Sequence, residues 1–212
     1  MSIKIYPVAV GSLIETNAYF YVDEETHHGM LIDPGADAEL LLSVIKEQEF
    51  HIEKILLTHG HFDHIGAVPQ LQEALQIEVC MQENGTDYAE NPKWNLSSLF
   101  ADAITLSAVH YLQDSSVITM ESAPSLRLKL IHTPGHTKDG CIYYDEAHHI
   151  AFVGDSIFKA SYGRTDHYGG SKQTLMNSIK EKILALPDET ILLSGHSEPT
   201  TVGEEKERPW YQ

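Results

Sequence analysis

Residues 58–64, with the sequence Thr-His-Gly-His-Phe-Asp-His, constrain the fold of this chain more than any other stretch. They place three imidazoles and one carboxylate directly after residues 54–57, Lys-Ile-Leu-Leu, which end in an apolar run. Such a run predicts a buried strand that ends where the polar residues begin. Neutral imidazole and carboxylate are ligands that a divalent ion such as zinc accepts at about 2.0–2.2 Å. One tetrahedral ion would have difficulty using all four side chains, so the segment predicts two metal ions at a strand end.

The pattern Thr-x-His-x-His-x-Asp-His resembles the metal motif of the metallo-β-lactamase superfamily, and within it the glyoxalase II (hydroxyacylglutathione hydrolase) branch. The resemblance implies an α/β (α+β) fold, a four-layer αββα sandwich in which two sheets face each other with helices outside. It also implies three further metal ligands, each at the end of a later strand. The likeness covers nearly the whole chain.

Three later residues match those expected ligands. His136 lies in a Thr-Pro-Gly-His-Thr turn after a predicted strand, and proline and glycine fix the direction in which its imidazole leaves. Asp155 follows a predicted hairpin, and His196 follows the last predicted strand. Carried over by position, the resemblance assigns one ion to His59, His61 and His136, a second ion to Asp63, His64 and His196, and the bridging position to Asp155.

The resemblance implies two divalent metal ions as cofactors, with zinc expected and iron or manganese as alternatives. A water held between them would ionise near neutral pH, since one zinc ion lowers the pKa of its bound water from 15.7 to about 7. Asp63 and Asp155 are the catalytic carboxylates in this interpretation. The hydroxide would attack a thioester, whose thiolate leaves readily because a thiol has a pKa of about 8.5. The expected partner is a small-molecule thioester, with S-2-hydroxyacylglutathione first.

Glutathione specificity is in question, because larger glyoxalase II enzymes have a basic helical C-terminal domain and this sequence ends soon after His196. A broader thioester or ester hydrolase, including a lactone hydrolase, is a nearly equal alternative. Another is a persulfide dioxygenase with one iron on His59, His136 and Asp155. The carboxylate at position 155 argues against β-lactam hydrolysis, since the resemblance implies Cys or Ser at this position in the class B β-lactamases.

Two residues near these motifs, Asp33 and Arg164, have two interpretations each. Asp33, in an Asp-Pro-Gly turn, either orients a metal ligand through hydrogen bonds or only forms the turn. Arg164 either meets an anionic substrate group or, as the preferred prediction, forms an ion pair with Asp166 that pins the loop. The remaining eight histidines are expected to be structural or solvated: His27, His28, His51, His110, His132, His148, His149 and His167.

Composition bounds the remaining possibilities. The net charge of −17, from 31 acidic and 14 basic residues, would repel a nucleic-acid backbone. No signal peptide and no run of about 18 apolar residues is evident, so neither export nor a membrane span is expected. Two widely spaced cysteines, Cys80 and Cys141, suit a reducing cytoplasm. We expect one cytoplasmic domain over residues 1–212, with the oligomeric state open.

Hydrophobic periodicity and turn residues predict the secondary structure. The predicted strands are residues 3–10, 17–22, 30–32, 52–57, 77–81, 126–132, 141–144, 149–153 and 190–193. The predicted helices are residues 38–47, about 65–75 and 171–186, the last with Ser171 as its N-cap. Residues 83–122 are expected to form loops and short helices, whose aromatic side chains pack under the chain or line a cleft: Tyr88, Trp94, Phe100 and Tyr111.

Overall fold

The computed structural model describes residues 2–11, 13–100 and 102–208. Its first half forms a six-stranded sheet in which the strands lie in sequence order. The first three strands are antiparallel, and the third to sixth are parallel. These strands are β1 Ile3–Val10, β2 Thr16–Asp23, β3 His28–Ile32, β4 His51–Leu56, β5 Glu78–Gln82 and β6 Val109–Leu112.

The second half forms another six-stranded sheet, with the strand order β14-β13-β10-β9-β8-β7, and a separate two-stranded ribbon of β11 and β12. Only β10 and β13 pair in parallel; the other pairs are antiparallel. The strands are β7 Val117–Thr119, β8 Arg127–His132, β9 Cys141–Asp145, β10 Ile150–Gly154, β11 Ile157–Phe158, β12 Ser161–Tyr162, β13 Ile191–Ser194 and β14 Thr200–Thr201.

Helices cover the outer faces of both sheets. They are α1 Ala38–Glu47, α2 Phe62–Ile65, α3 Val68–Leu75, α4 Thr86–Glu90, α5 Ser97–Phe100, α6 Lys172–Ser178 and α7 Val202–Lys206. A 3₁₀ turn at Glu83–Gly85 precedes α4, and a π-helical turn at Ile179–Ile183 continues α6. The Ser171 hydroxyl accepts a hydrogen bond from the Thr174 amide, so the predicted N-cap of α6 is present. No helix within the described ranges is long and apolar enough to span a membrane.

The core has three layers because side chains alternate between the two faces of each strand. On β2, Tyr21 faces the second sheet and packs with its Phe152, whereas Phe20 points outward to the layer of α1 and α3. On the far side, Ile142 and Val153 of the second sheet pack against α6 and the π-helical turn. The resulting order is helix, sheet, sheet, helix, and the predicted fold class is confirmed.

Two details of the secondary-structure prediction are wrong. The segment predicted as loops and short helices also contains β6 and β7, which are only four and three residues long and mostly exposed or half-buried, so neither is long enough to show a clear strand period. The border between the two sheets therefore lies between Leu112 and Val117. The predicted helix over residues 65–75 is two helices, and Pro69 lies in the first turn of α3, where its missing N–H costs no hydrogen bond.

The fold brings four strand ends to one edge. Strands β4, β8, β10 and β13 each end immediately before a segment with predicted metal ligands. Hydrogen bonds join the two sheets there: the Tyr143 hydroxyl donates to the Leu57 carbonyl at 2.9 Å, and the Cys141 amide donates to the Thr58 carbonyl at 2.9 Å. Loops from both sheets can therefore meet over a fixed base.

Candidate metal centre

The ligand turn leaves β4 and enters the short helix α2. His59 and His61 lie in the extended segment before this helix, and Asp63 and His64 lie in its first turn. Gly60 is required for close packing beneath the turn, because a Cβ there would lie 2.4 Å from the Cβ of Tyr88. Because the backbone changes from extended to helical, His59 and His61 point to one cluster of side chains and Asp63 and His64 to another.

The other predicted ligands come from the second sheet. His136 follows β8, His196 follows β13, and Asp155 follows Gly154 at the end of β10. Gly154 has a φ of 48°, in the left-handed region that favours glycine. A Cβ there would also lie 2.2 Å from Thr58 Oγ1. The backbone can therefore place Asp155 over the ligand turn only because this position has no side chain.

His59, His61 and His136, which we call the first ligand group, bring three ring nitrogens together. His61 Nδ1 lies 3.1 Å from His59 Nε2 and 2.9 Å from His136 Nε2. Two ligand atoms at about 2.05 Å from a tetrahedral ion are separated by about 3.3 Å. The spacing within the group is close to this value, so the three imidazoles are arranged to bind one ion.

Asp63, His64 and His196 form the second ligand group. His196 Nε2 lies 3.4 Å from His64 Nε2 and 3.2 Å from Asp63 Oδ2, while His64 Nε2 lies 3.9 Å from the same carboxylate oxygen. All three atoms lie within 4.8 Å of one another. This group also has the composition and spacing of a metal site.

Asp155 lies between the two groups. Its Oδ2 is 3.6 Å from His136 Nε2 and 3.3 Å from His196 Nε2, and its Oδ1 is 3.3 Å from His64 Nε2. Oδ1 is buried and accepts no hydrogen bond from any part of the chain that the structure describes. A buried carboxylate oxygen without a donor is costly unless a cation neutralises it. Asp155 is therefore placed to bridge two ions.

Backbone carbonyls fix the orientation of two of the rings. His136 Nδ1 lies 2.6 Å from the Arg164 carbonyl, and His196 Nδ1 lies 2.7 Å from the Glu15 carbonyl. A carbonyl can only accept a hydrogen bond, so each Nδ1 must carry the proton. In the neutral ring the lone pair is then on Nε2, the atom that faces the other ligands. This is the arrangement that a metal-binding histidine requires.

Asp33 performs the same task for His64. Its Oδ2 lies 2.9 Å from His64 Nδ1 and accepts a 2.6 Å hydrogen bond from the Thr58 hydroxyl, and its Oδ1 accepts one of 2.8 Å from the Thr58 amide. Of the two interpretations of Asp33, the structure contains the hydrogen bonds that orientation of a ligand requires. Thr58 was not singled out in the sequence, although it fixes this carboxylate at the strand end.

The electrostatic environment differs between the groups. Burial lowers the pKa values of His59, His61 and His136, and repulsion among the neighbouring imidazoles lowers those of His59 and His61 further. Burial also opposes charge on His196, but hydrogen bonds to Asp155 and Asp63 outweigh it and raise its pKa to about 10. The first group therefore offers neutral nitrogens, while the carboxylates at the second group stabilise positive charge there.

The chemistry of these donors fits two divalent ions. In the first group the inner nitrogens of His59, His61 and His136 face one another at about a tetrahedral edge, and such lone pairs repel unless a proton or a cation lies between them. In the second group the carboxylates of Asp63 and Asp155 surround two imidazoles. The clusters are consistent with a dinuclear site.

A cavity of about 380 Å³ opens beside the two groups. Its apolar lining comprises Ile14, Phe62, Leu96, Phe100, Phe158 and Tyr162, and its polar lining beyond the ligand groups comprises Ser161, Arg164 and His167. His167, which was predicted to be structural or solvated, also lines this cavity, and its ring centre lies 5.9 Å from that of His61. It follows no apolar run, so nothing in the sequence indicated this position.

The loop after β12 contains the predicted ion pair. Arg164 donates to both carboxylate oxygens of Asp166, at 2.7 and 2.8 Å, and both side chains are exposed. Arg164 lies at the cavity and holds His136 through its backbone carbonyl. The ion pair thus belongs to the loop that orients one ligand.

The aromatic residues predicted in residues 83–122 have mixed positions. Phe100 lines the cavity. Tyr88 is fully buried with its ring 6.0 Å from that of His61, and its ring also contacts Trp94. Tyr111 is exposed on β6. Most of these side chains therefore pack beside the site or away from it, and Phe100 alone of the four lines the cavity.

The model of the metallo-β-lactamase superfamily matches residues 12–196, most of the chain. The chain belongs to the metallo-β-lactamase superfamily. The family resemblance of the sequence is thereby confirmed. Within this superfamily, the hydroxyacylglutathione hydrolase GloC of Haemophilus influenzae is 32% identical over 215 residues, which cover 97% of this chain and 95% of GloC. The chain is accordingly a metallo-hydrolase by its family and by its His/Asp site.

Two solved structures of the superfamily are similar over almost their whole length. The BLEG-1 B3 metallo-β-lactamase is 36% identical, with a TM-score of 0.91 over 99% of this chain and all of that one. The di-iron form of TTHA1623 is 32% identical, with a TM-score of 0.84 over 97% of this chain and 99% of that one. The second shows that a relative can bind two iron ions.

Proposed function

We propose that this chain hydrolyses thioesters at a pair of divalent metal ions, with S-2-hydroxyacylglutathione as the first substrate to test. The observation that carries the proposal is Asp155, whose two carboxylate oxygens face ligands of both groups. Zinc is the expected metal, and the di-iron form of TTHA1623 supports iron as the alternative. Two such ions, when bound, supply Lewis acidity and a water that ionises near neutral pH.

The chain's own residues would hold and orient this centre. His59, His61 and His136 present neutral nitrogens, and the Arg164 carbonyl keeps the proton of His136 on the outer side of the ring. Asp155 places its negative charge between the groups, where it reduces the repulsion between two cations. Rigid ligands of this kind require little reorganisation when charge develops on a substrate.

The cavity favours a substrate with a good leaving group. Among its lining residues that the structure describes, the only carboxylates are Asp63 and Asp155, which are both proposed ligands. No other carboxylic acid is available there to protonate a poor leaving group such as an amine. A thiolate needs no strong acid, because the pKa of a thiol is about 8.5. The cavity therefore suits a thioester better than an amide.

β-Lactam hydrolysis is a second candidate, because the BLEG-1 enzyme is 36% identical over nearly the whole chain. Against it stands the carboxylate at position 155. The iron-dependent persulfide dioxygenase would need only His59, His136 and Asp155. The complete second ligand group is unexplained in that reaction, which favours the dinuclear hydrolase.

Elemental analysis and activity assays on the same preparation test the proposal. We expect about two zinc or iron ions per chain and hydrolysis of S-lactoylglutathione or of a neutral N-acetylcysteamine thioester. Chelation should abolish hydrolysis, and added metal should restore it. A chromogenic β-lactam and oxygen uptake with glutathione persulfide are the parallel assays. Protein with two ions that cleaves neither thioester would contradict the proposal, and oxygen uptake with one iron would support the dioxygenase.

A further inference from the structure

We propose that the substrate has an extended apolar chain on one side of the cleaved bond, and that this chain binds in a groove beside the metal centre. The inference rests on the proposed thioester hydrolysis and specifies its substrate class. The groove, which we call the apolar groove, runs between the loop joining β1 to β2 and the helix α5.

The apolar groove is continuous with the reaction site. It is a depression of about 500 Å³ lined by residues that include Leu13, Ala36, Pro69 and Ile104. It shares four lining residues with the cavity at the ligand groups: Ile14, Phe62, Asp63 and Phe100. Since Asp63 belongs to the second ligand group, a chain attached to a reacting carbonyl can pass directly into the groove.

The walls of the groove are apolar and open to solvent. The rings of Phe62 and Phe100 stack with their centres 5.3 Å apart and 18° between their planes. Leu13 is 68% exposed, Phe100 48% and Ile14 38%. Exposed apolar side chains that adjoin one another beside a cleft mark a binding surface. Their position next to the ligand groups makes the substrate the occupant that fits.

The charges of the apolar groove disfavour an anionic chain. Arg164 is the one lysine or arginine among the described lining residues of the two cavities, and it already binds Asp166 with two hydrogen bonds. Apart from Asp63 and Asp155, whose charge two metal ions would neutralise, the lining carboxylates are Asp37 and Asp102, and both belong to the apolar groove. Glutathione would bring two further carboxylates into this field, whereas an alkyl or aryl chain would bring none.

Two series of neutral thioesters test the inference and identify the side that binds. One varies the acyl group of N-acetylcysteamine thioesters from acetyl to octanoyl, and the other varies the thiol of acetyl thioesters from ethanethiol to octanethiol. In one series kcat/KM should rise about two- to fourfold per methylene, because a fully buried methylene corresponds to about fourfold. Octanoyl or octanethiol thioesters should then exceed S-lactoylglutathione.

Variants connect the effect to the groove. Phe100→Ala and Leu13→Ser should each reduce the ratio of kcat/KM between the longest and shortest substrates. Val117→Ala is the matched control: Val117 is 48% exposed on β7 and lines neither cavity, so this variant should keep the wild-type ratio. Two groove variants are used so that a folding defect in one leaves the test intact.

A binding measurement separates this inference from the proposed function. The ketone analogue of the best thioester, with a methylene in place of sulfur, should bind the metal-loaded protein with a negative heat-capacity change, which decreases in magnitude in Phe100→Ala. If no thioester is cleaved but the ketone binds in this way, the result supports binding of an apolar chain in the groove and contradicts the proposed hydrolysis. Thioester cleavage independent of chain length in both series would overturn the groove alone. Self-association through Leu13 and Phe100 without any chain-length effect would also overturn it.

Discussion

The two ligand groups adjoin the same carboxylate, that of Asp155, but differ in their electrostatic environment. The first group consists of three imidazoles, and burial keeps their pKa values low. The second contains Asp63, and its carboxylate and that of Asp155 raise the pKa of His196 to about 10. The first group would bind a cation through the lone pairs of neutral imidazoles alone, whereas the second would also bind it through the negative charge of the Asp63 carboxylate. Protons therefore compete with metal mainly in the second group.

Removal of the shared carboxylate should have the largest effect. In Asp155→Ala both groups lose a ligand, and two neighbouring cations lose the charge that holds them together. We expect thioester hydrolysis to fall by about a thousandfold or more and the metal content to fall to one ion or fewer. Kinetics and elemental analysis on one preparation measure both quantities.

Asp188→Ala is the control for this variant, because Asp188 is an exposed carboxylate that pairs with Lys206, outside both groups and both cavities. It should retain two ions. Normal hydrolysis by Asp155→Ala with both ions bound would show that position 155 does not bridge, and the two groups would then be independent sites.

Single-ligand variants should separate the two groups by their response to pH. His136→Ala and His196→Ala should each retain one ion and lose about a hundredfold or more in activity. In His136→Ala the remaining ion uses His64, whose pKa is raised because Asp155 and Asp33 outweigh its burial. In His196→Ala it uses imidazoles whose pKa values are lowered. As the pH falls, His136→Ala should therefore release its ion first.

Metal content after dialysis at a series of pH values measures this difference. Release by both variants at the same pH would mean that the carboxylates do not set the proton affinity of the second group. Release by His196→Ala at the higher pH would reverse the comparison.

The metal ligands could be predicted from the sequence because each has a side chain of recognisable chemistry and lies just after a predicted strand. Each predicted ligand follows an apolar run, and the ends of such strands meet at one edge in this fold. The turn residues Pro134 and Gly154 add to the signal. The sequence thus contained the order and type of the seven predicted ligands that the structure brings together.

The walls of the cavities could not be predicted in the same way. Ile14, Phe62 and Phe100 come from three separate segments, and an apolar side chain has no chemistry that distinguishes a groove from a core. Their proximity depends on tertiary packing. The strands β6 and β7 were missed for a related reason, since each is short and has few buried positions.

Two buried aspartates, Asp33 and Asp139, lie beside the turns that contain the ligands, and they differ in their hydrogen bonds. Asp33 has hydrogen bonds from Thr58, whereas neither oxygen of Asp139 has a well-aligned partner in the described parts of the chain. Burial raises the pKa of Asp139 to about 7, and the Thr137 hydroxyl and the Gly60 amide offset this only in part. Asp139 therefore destabilises the fold when it ionises.

Asp139→Asn should remove this cost with the smallest structural change. Because the folded-state pKa of about 7 exceeds the usual 3.8, the folded protein binds more protons between these values, and the wild type loses stability as the pH rises through them. The full difference corresponds to about 4 kcal/mol. In urea unfolding from about pH 5 to about pH 8, the free energy of unfolding of Asp139→Asn should increase relative to that of the wild type, while Asp166→Asn should show no such increase. A constant difference across this range would mean that Asp139 is as well supported as Asp33.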